Sequence, residues 1–315
     1  MKKFDVIVVG ELNVDLIMDH MTSIPAEGKE ILADEMTLTL GSSSAICASN
    51  LSMLGSRVAF IGKTGKDLLG DFVLGELTTR NVDVSMVKQD PQLKTGATVV
   101  LNYGEDRANI THQGAMNFLT ASDIQMERLA EAKHLHFSSF FLQPQLQDVL
   151  GNLFRFAKAA GMTTSFDPQW DPLEKWQMNA QEILPYVDVF FPNESELLKL
   201  TGTSTLEAAV ESIRELINIM VVKRGAKGSL LWVDGRTREL PAFLNKKVID
   251  AIGAGDSFNA GFIHKFIRNH SVESCQEFAN LTGAISTQAA GGTAAFNDFQ
   301  NRLDYATKQY GILSA

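Results

Sequence analysis

Short apolar runs alternate with longer stretches of helical spacing along this 315-residue chain. The runs are too short for helices and lack polar alternation, which indicates strands buried on both faces, at 6–9, 58–61, 134–137, 163–166, 187–191 and 219–222. Helical spacing separates them at 44–54, 68–80, 146–160, 194–200 and 206–216. Strand and helix in repeated alternation predict crossover units and an α/β fold with a central, mostly parallel sheet.

Composition and charge narrow the class of protein. With 45% hydrophobic and 21% charged residues the chain is typical of globular proteins, and no Pro-rich or Ser-rich linker divides it, so we expect one domain over residues 1–315. The net charge of −9 leaves no excess of Lys and Arg to neutralise phosphates, so we expect no nucleic-acid partner. No run of about 18 apolar residues occurs, so we expect no membrane partner.

The cysteines and the amino-terminal residues indicate the compartment. Cys47 and Cys275 lie in apolar helical patterns without C-x-x-C spacing, which is typical of reduced thiols in an intracellular protein. The apolar run after Lys2 and Lys3 is too short for a signal peptide and contains Asp5. We therefore expect a cytoplasmic protein.

Two regions depart from the alternation of buried strands and helices. Residues 12–16 and 36–40 alternate with period two, and 98–102 form a third strand candidate before a turn at 104–106. Alternation marks strands with one solvent-facing side. We expect a small antiparallel sheet, with strands drawn from about residues 11–40 and 95–112, that covers a site as a lid. An extra hairpin at the edge of the main sheet is the alternative.

The most informative segment is the glycine turn Gly253-Ala254-Gly255 with Asp256 directly after it. Apolar residues then recur with helical spacing, at 258, 262 and 266. A glycine turn that opens a helix leaves backbone N–H groups aimed at one point, which is an anion site. A lone Asp in a first helical turn is typical of a helix cap. A cap, however, does not need the preceding backbone stripped of side chains, whereas the approach of a phosphate does.

Two competing phosphate motifs fail on spacing. Gly62-Lys63-Thr64 resembles the end of a P-loop, but Arg57 occupies the position of that motif's first glycine. A dinucleotide fingerprint that starts at Gly253 needs its third glycine where Phe258 stands. The sequence therefore argues against a P-loop and against an oxidoreductase.

A second loop of small residues, Gly41-Ser42-Ser43-Ser44, leads into a predicted helix. One serine is enough to cap that helix. The surplus hydroxyls suit a polyhydroxylated ligand. Asp15, on the alternating segment after the first strand, is placed to accept hydrogen bonds from sugar hydroxyls in the same region.

These loops, together with residues 60–70 and Asn193-Glu194-Ser195-Glu196, resemble the ribokinase-like (PfkB) carbohydrate kinases over nearly the whole chain. The resemblance implies a three-layer α/β/α domain with a β lid. It also implies ATP-dependent phosphorylation of a hydroxyl, a requirement for Mg²⁺, and a homodimer formed through the lids.

The resemblance also implies roles for the residues near the glycine turn. Asp256 is the general base, and the backbone of residues 253–255 is the anion hole for the transferring phosphoryl group. Asn193 and Glu196 are linked to Mg²⁺ and phosphate. Asp250 either holds the turn by hydrogen bonds or binds a monovalent cation such as K⁺. Phosphoryl transfer asks a protein for positioning and charge stabilisation, which one carboxylate beside a helix amino terminus supplies.

By the same resemblance, the remaining motifs divide between the nucleotide and the sugar. Lys223, Gly225 and Gly228 match a nucleotide loop, and Asn280 lies on a helix that lines the adenine side. The positions that match sugar contacts are Asp15, Gly41 and Ser42, with Arg107 where the second lid segment returns towards the substrate.

Three departures from the family pattern leave the substrate open. Ile46 replaces an Asn of the sugar site, Ser42 replaces a glycine, and Asp171 stands where an Arg is expected after Asp167-Pro168. We expect a kinase for a monosaccharide or a related sugar acid. The alternatives are a nucleoside kinase of the same fold and a non-catalytic sugar-responsive module, and the intact Asp256 with its glycine turn argues against the module.

Overall fold

The strands and helices follow the predicted alternation through residues 2–103 and 106–310, which are the residues that the computed structural model describes. The strands are β1 Phe4–Val9, β2 Asn13–Asp19, β3 Glu35–Leu40, β4 Val58–Ile61, β5 Lys63–Gly65, β6 Lys88–Asp90, β7 Gly96–Tyr103, β8 Asp106–His112, β9 Ala132–Ser138, β10 Thr163–Asp167, β11 Val189–Phe190, β12 Ile219–Lys223, β13 Ser229–Val233 and β14 Arg236–Leu240. The helices are α1 Ser43–Met53, α2 Leu68–Thr79, α3 Met126–Leu129, α4 Pro144–Gln147, α5 Leu150–Ala159, α6 Ala180–Ile183, α7 Glu194–Thr201, α8 Leu206–Ile213, α9 Ala254–Phe266, α10 Val272–Ser286 and α11 Phe299–Tyr310. The centre of the turn predicted at 104–106 lies outside the described residues.

The larger sheet of the described residues has eight strands in the order β14-β13-β12-β11-β10-β9-β1-β4. The strands from β12 to β4 run parallel, as predicted. Strands β13 and β14, at one end of the sheet, run antiparallel and were not predicted. The signal for this hairpin was Asp234-Gly235, since both residues have positive φ angles, 50° and 74°, as a tight two-residue turn requires.

Helices cover both faces of this sheet, because its strands present apolar side chains on both sides. On β1, Val6 and Val8 join the core under α1, α2, α9 and α10, whereas Ile7 and Val9 join the core under α5, α7 and α8. Successive strand side chains point to opposite faces, so one apolar run supplies both cores. The expected three-layer α/β/α fold is confirmed.

A second, four-stranded sheet in the order β3-β2-β7-β8 forms the expected lid. Its outer pairs are antiparallel, while the central strands β2 and β7 run parallel because the chain crosses the main domain between them. Directly paired residues give the lid one apolar face and one polar face. A row of the apolar face is Leu38, Leu16, Val99 and Ile110, and a row of the polar face is Thr39, Asp15, Thr98 and Thr111.

Two predicted elements have different bounds in the structure. The helix predicted at 146–160 is divided into α4 and α5, which are separated by Asp148 and Val149. The strand predicted at 187–191 is only Val189–Phe190, because Pro192 follows shortly and has no N–H to continue a ladder.

Two further predictions concern the membrane and the thiols. Among the described helices, none is long and apolar enough to cross a membrane. Cys47 and Cys275 are buried, free thiols, as their apolar surroundings predicted. Burial raises the pKa of both groups, so neither is a ready thiolate at neutral pH.

Close packing of α9 against α10 depends on Gly261. A Cβ atom at this position would lie within 3.0 Å of three side-chain atoms of Thr282, whose hydroxyl is held by the carbonyl oxygens of Phe278 and Ala279. Gly261→Ala should therefore lower the free energy of unfolding by about 1–3 kcal/mol, the usual cost of overpacking. Chemical denaturation measures this change.

Gly75→Ala is the matched control. Gly75 is also inside a helix, but a Cβ atom there would meet nothing within 4 Å. Because Ala is the better helix former, this variant should gain up to about 1 kcal/mol. Equal effects of the two substitutions would contradict the packing argument.

Candidate active site

The carboxyl ends of the parallel strands meet at one edge of the main sheet, beneath the polar face of the lid. Strand β1 lies between β4 and β9, so the chain changes direction across the sheet at this point. Open α/β sheets bind ligands at such a point, outside the carboxyl ends of the strands. A cavity of about 610 Å³ lies there, which we call the central cavity.

The predicted glycine turn opens α9 at the wall of the central cavity. Gly253 is the N-cap residue in the left-handed region, with φ 72°, and no side chain caps the helix. Gly253, Gly255 and Asp256 all line the cavity. The Ala254 N–H donates to the Ala251 carbonyl oxygen at 3.3 Å, whereas the N–H groups of Gly255 and Asp256 remain available to an anion, and Asp256 is not the helix cap.

Asp256 lies in a network of buried polar groups. Gln169 Nε2 donates to Asp256 Oδ1 at 3.1 Å and to Asp167 Oδ2 at 3.0 Å. Asp167, at the end of β10, is fully buried, and its Oδ2 atom also accepts hydrogen bonds from Lys223 Nζ and Asn259 Nδ2. Gln169 thus joins the two carboxylates. The sequence motifs did not single out Gln169 or Asn259.

Burial changes the proton affinity of the carboxylates that line the cavity. Burial raises the pKa of Asp256 to about 7, with a further contribution from the charge of Asp167, while Lys223 opposes the shift. Burial also raises the pKa of Glu196 to about 7. Burial alone would lower the pKa of Lys223, but the carboxylates of Asp167 and Glu196 raise it above its usual value. A carboxylate that titrates near 7 is suited to accept a proton at neutral pH.

Asn193 and Glu196 form the amino-terminal cap of α7 and line the central cavity. The Asn193 N–H donates to Glu196 Oε2 at 2.8 Å, and the Glu196 N–H donates to Asn193 Oδ1 at 2.8 Å. Within residues 2–103 and 106–310, no cluster of three His, Cys, Asp or Glu side chains is arranged to hold a metal directly. Mg²⁺ usually keeps several waters and uses one or two carboxylates plus phosphates, so the donor set fits Mg²⁺ held together with a phosphate-bearing ligand.

The predicted nucleotide residues separate into two places. Lys223 is the last residue of β12 rather than part of the loop after that strand. It lies in the central cavity beside the glycine turn. Gly228 packs against the backbone of residues 240–242, and its φ of 95° suits only glycine. Asn280 Nδ2 donates to the carbonyl oxygens of Leu240 and Pro241, so Gly228 and Asn280 meet at the same strand end. Gly225 lies in the turn that connects β12 to β13.

The predicted sugar residues meet where the lid joins the main domain. Asp15 is buried on the polar face of β2, and Asn13 Nδ2 donates to its carboxylate at 3.2 Å. Gly41 approaches this carboxylate so closely that a Cβ atom would lie 2.7 Å from Asp15 Cγ. Ser42 caps α1, because its Oγ accepts from the Ala45 N–H at 2.9 Å and donates to the Glu11 carbonyl oxygen at 2.6 Å.

Ile46 and Arg107 have different outcomes. Ile46 lines the central cavity and is only 2% exposed. Its side chain fills the space beside Gly253 and Gly292. A Cβ atom at Gly292 would lie 2.6 Å from Ile46 Cδ1. Arg107 belongs to β8, but its side chain is outside the described part of the structure.

Asp250 ties the glycine turn to a neighbouring loop. Its Oδ1 accepts from the Ile252 N–H and its Oδ2 from the Gly291 N–H, both at 2.8 Å. This geometry supports the structural alternative for Asp250, since both carboxylate oxygens position backbone.

Glu11 is a buried carboxyl group of the cavity that the sequence motifs did not identify. It follows β1 and accepts hydrogen bonds from the Ser44 hydroxyl and backbone N–H. Burial raises its pKa above the usual range. The surplus serine hydroxyl at Ser44 is therefore used inside the protein, whereas Ser43 lines the cavity and its hydroxyl lowers the pKa of Asp256.

A parallel sheet whose strand ends hold a buried carboxylate and a glycine turn beneath a β lid defines the ribokinase-like class of kinases. The chain belongs to the pfkB family of carbohydrate kinases, since residues 3–298 match the family described as "pfkB family carbohydrate kinase". It is a phosphotransferase that acts on a sugar hydroxyl.

Individual relatives cover the same length. The deoxyribokinase of Salmonella typhimurium is 28% identical over 309 residues, which cover 96% of this chain and 98% of the relative. The structure of Arabidopsis thaliana ribokinase complexed with ribose and ATP has a TM-score of 0.81 at 24% identity and covers 95% of this chain and 98% of its own. A putative ribokinase II from E. coli in complex with ATP and Mg²⁺ has a TM-score of 0.81 at 21% identity, covering 96% and 99%. The two structures share the fold of this chain.

The Gln169 contact predicts a change in the pH dependence of activity. An N–H donor favours the ionised form of Asp256, so Gln169→Met should raise the pKa of Asp256 from about 7. The acid limb of kcat/KM should move to higher pH by about one unit, since a hydrogen bond to a charged group contributes about 1.5–3 kcal/mol. ADP release measured between pH 5 and 9 gives the profile.

Gln89→Met is the matched control for this measurement. Gln89 is exposed and also donates to a carboxylate, Asp71 Oδ1 at 3.2 Å, far from the cavity. Its profile should match that of the parent enzyme. An acid limb that stays in place in Gln169→Met would show that Gln169 does not influence the base.

Proposed function

We propose that the protein is an ATP-dependent kinase that phosphorylates a hydroxyl of a monosaccharide or a related sugar acid, with Asp256 as the general base. The observation that carries the proposal is the position of Asp256. Its carboxylate lies in the first turn of α9, lines the central cavity and has a pKa near 7. A proton acceptor thus lies beside an anion site, beneath the polar face of the lid. We place both within one kinase domain that spans the chain.

The proposed reaction uses these groups in one step. Asp256 accepts the proton of the sugar hydroxyl while that oxygen forms a bond to the γ-phosphorus of ATP, and the bond from this phosphorus to the bridging oxygen of ADP breaks. Negative charge on the transferring group is stabilised by the backbone N–H groups of 253–255 and by Lys223, whose ammonium lies beside Gly255. The products are the sugar phosphate and ADP.

Mg²⁺ is the proposed cofactor, with Asn193 and Glu196 as the residues that position it through water or phosphate. The bound ion would shield the charge of the ATP phosphates. Glu196 supports this role because its carboxylate is almost fully buried yet borders the cavity. K⁺ has less support, because both carboxylate oxygens of Asp250 position backbone N–H groups.

The adenosine part of ATP is proposed to lie beside the turn at Gly225 and Gly228, with Asn280 fixing the neighbouring strand end. The sugar is proposed to lie under the lid, against Asp15, Gly41 and Ser42, with Ile46 as an apolar wall and Arg107 on the returning lid strand. Thr98 and Thr111 extend the polar face of the lid in the same row as Asp15, and their hydroxyls are 3.0 Å apart.

A homodimer through the lids is proposed from the apolar face of the lid. Met36, Leu38 and Ile110 on that face are 65%, 42% and 63% exposed, and they lie in two adjoining rows that cross the lid. A second copy of the chain would cover them, since a contiguous exposed apolar face is typical of an interaction surface. A solution mass of one 34.5 kDa chain by light scattering would contradict this dimer.

Asp256→Asn tests the proposed base. The variant should fold normally, because an amide of the same size replaces a buried carboxyl whose charged form is disfavoured by burial. It should lose about 10² to 10⁴ in kcat, the usual contribution of a general base, with a small change in the KM for the sugar. ADP release over a panel of hexoses, pentoses, sugar acids and nucleosides measures the loss.

Asp71→Asn is the matched control, because Asp71 is likewise in the first turn of a helix, α2, but is exposed. It should keep the parent kcat. Turnover of Asp256→Asn within about threefold of the parent would show that Asp256 is not the base.

Glu196→Gln tests the proposed Mg²⁺ position. Gln keeps an oxygen that accepts the Asn193 N–H, so the cap of α7 remains while the charge is removed. The Mg²⁺ concentration for half-maximal rate should rise by about tenfold or more. In the parent this concentration should also rise below pH 7, where Glu196 gains a proton, and in the variant that pH dependence should be weaker.

A Mg²⁺ titration that is the same in both proteins would remove Glu196 from the metal site. Glu207→Gln is the control, since Glu207 occupies the first turn of α8 and is exposed. The KM for the sugar should be unchanged in both variants.

A further inference from the structure

A second, larger cavity adjoins the central cavity on the side away from Asp256. Its volume is about 1210 Å³, and we call it the outer cavity. Four residues line both cavities and form the border between them: Asn109, Thr111, Leu142 and Trp170. A sugar in the central cavity therefore lies next to unfilled space larger than itself. The proposed kinase reaction makes no use of that space.

Trp170 at this border is exposed but fixed in position. Its side chain is 44% exposed, which is unusual for so large an apolar group. Its ring packs edge-on against Trp176, with centroids 4.8 Å apart, and Trp176 packs against Phe141 at 5.5 Å. One edge of Trp170 is thus held by a chain of aromatic rings while part of the indole remains free for a ligand.

The segment that carries Trp170 is held by Asp171. Residue Asp171 is 3% exposed, and its carboxylate accepts three hydrogen bonds at 2.7–2.9 Å. The donors are the backbone N–H groups of Leu173, Lys175 and Trp176. Asp171 therefore has a structural role here in place of the Arg of the family pattern. Its contacts fold the segment into a tight loop that presents Trp170.

The same loop stores backbone strain. Gln169, Glu174 and Trp176 all have positive φ angles, of 59°, 52° and 54°. Such conformations cost about 1–3 kcal/mol each and persist where the surrounding structure enforces them, most often at ligand-binding segments. Binding of a ligand to the exposed indole would offset the free energy cost of this strained loop.

The polar groups of the outer cavity include uncharged amides together with His112 and the charged side chain of Lys175. Among the amides, Asn109, Gln113, Asn117 and Gln177 form no side-chain hydrogen bond to another described residue. Phe118 adds a second ring that is 50% exposed. Exposed aromatic rings with free amides suit a ring that carries hydroxyl, carbonyl or amine groups.

We propose that the outer cavity binds a second ring that is joined to the phosphorylated sugar and stacks on Trp170. The acceptor is then a glycoside, in which the phosphorylated monosaccharide unit carries either a second sugar or a heterocyclic base as its other ring. This inference rests on the proposed kinase function. It adds the class of substrate, which the site around Asp256 does not specify.

The test compares kcat/KM, from ADP release, for three groups of acceptors. These are free pentoses, hexoses and sugar acids; disaccharides and phenyl glycosides; and nucleosides. The parent enzyme should prefer one of the two ring-bearing groups over the free sugars by at least tenfold. The group that is turned over best identifies the second ring as a sugar or a base.

Trp170→Ala should reduce this preference by about tenfold, which corresponds to about 1.4 kcal/mol. Trp170→Phe should restore part of it because a ring remains to stack on. Leu68→Ala is the control: Leu68 is 86% exposed and lines neither cavity, so the preference should stay as in the parent.

Two results would overturn the inference while leaving the kinase function intact. One is equal or better turnover of free monosaccharides by the parent enzyme. The other is an equal loss for all acceptors in Trp170→Ala, which would indicate a structural role for Trp170. ADP release from no acceptor in the panel would contradict the proposed function itself, and the substrate class with it.

Discussion

The buried ion pair between Asp167 and Lys223 is the contact on which the rest of the site depends. It joins the carboxyl ends of β10 and β12, and Asn259 of α9 binds the same carboxylate oxygen. Removing one partner from such a buried pair typically costs about 3–5 kcal/mol, because it leaves a charge without compensation. Through Asn259 this pair holds α9 against the sheet, and the position of α9 in turn sets the glycine turn and Asp256.

The sequence predicted most of the fold because the relevant signals are local. Apolar period, glycine turns and alternation each extend over a few residues, and they identified the parallel sheet, α9 and the lid strands. Gln169, Asn259 and Glu11 were missed for the opposite reason. Gln169 meets Asp256 across 87 positions of the chain, and Asn259 meets Asp167 across 92, so no local spacing records either contact. Asp171 was misleading on sequence alone, since its role depends on three backbone N–H groups of its own loop.

Related kinases can keep one reaction and change the acceptor when different parts of the molecule carry the two functions. In this structure the groups around Asp256 and the groups on the acceptor side come from different parts. Apart from Gln169, the groups around Asp256 come from strand ends and from helices, and they are deeply buried. The proposed acceptor side of the cavity is formed by the lid and by the loop at 170–177. Loops and edge elements change sequence at lower cost than buried elements do. Relatives such as a deoxyribokinase share the fold at 28% identity, and this division permits their acceptors to differ from that of this chain.

The parallel pairing of β2 with β7 has a mechanical consequence. Because two separate excursions of the chain supply the lid, four covalent tethers connect it to the main domain, at residues 10–12, 41–42, 91–95 and 113. All four tethers leave the same edge of the lid, since Leu40, Val14, Ala97 and His112 pair in one row next to them. The lid is therefore attached along one edge by two separate excursions of the chain, and a single backbone cut in either excursion leaves it attached through the other.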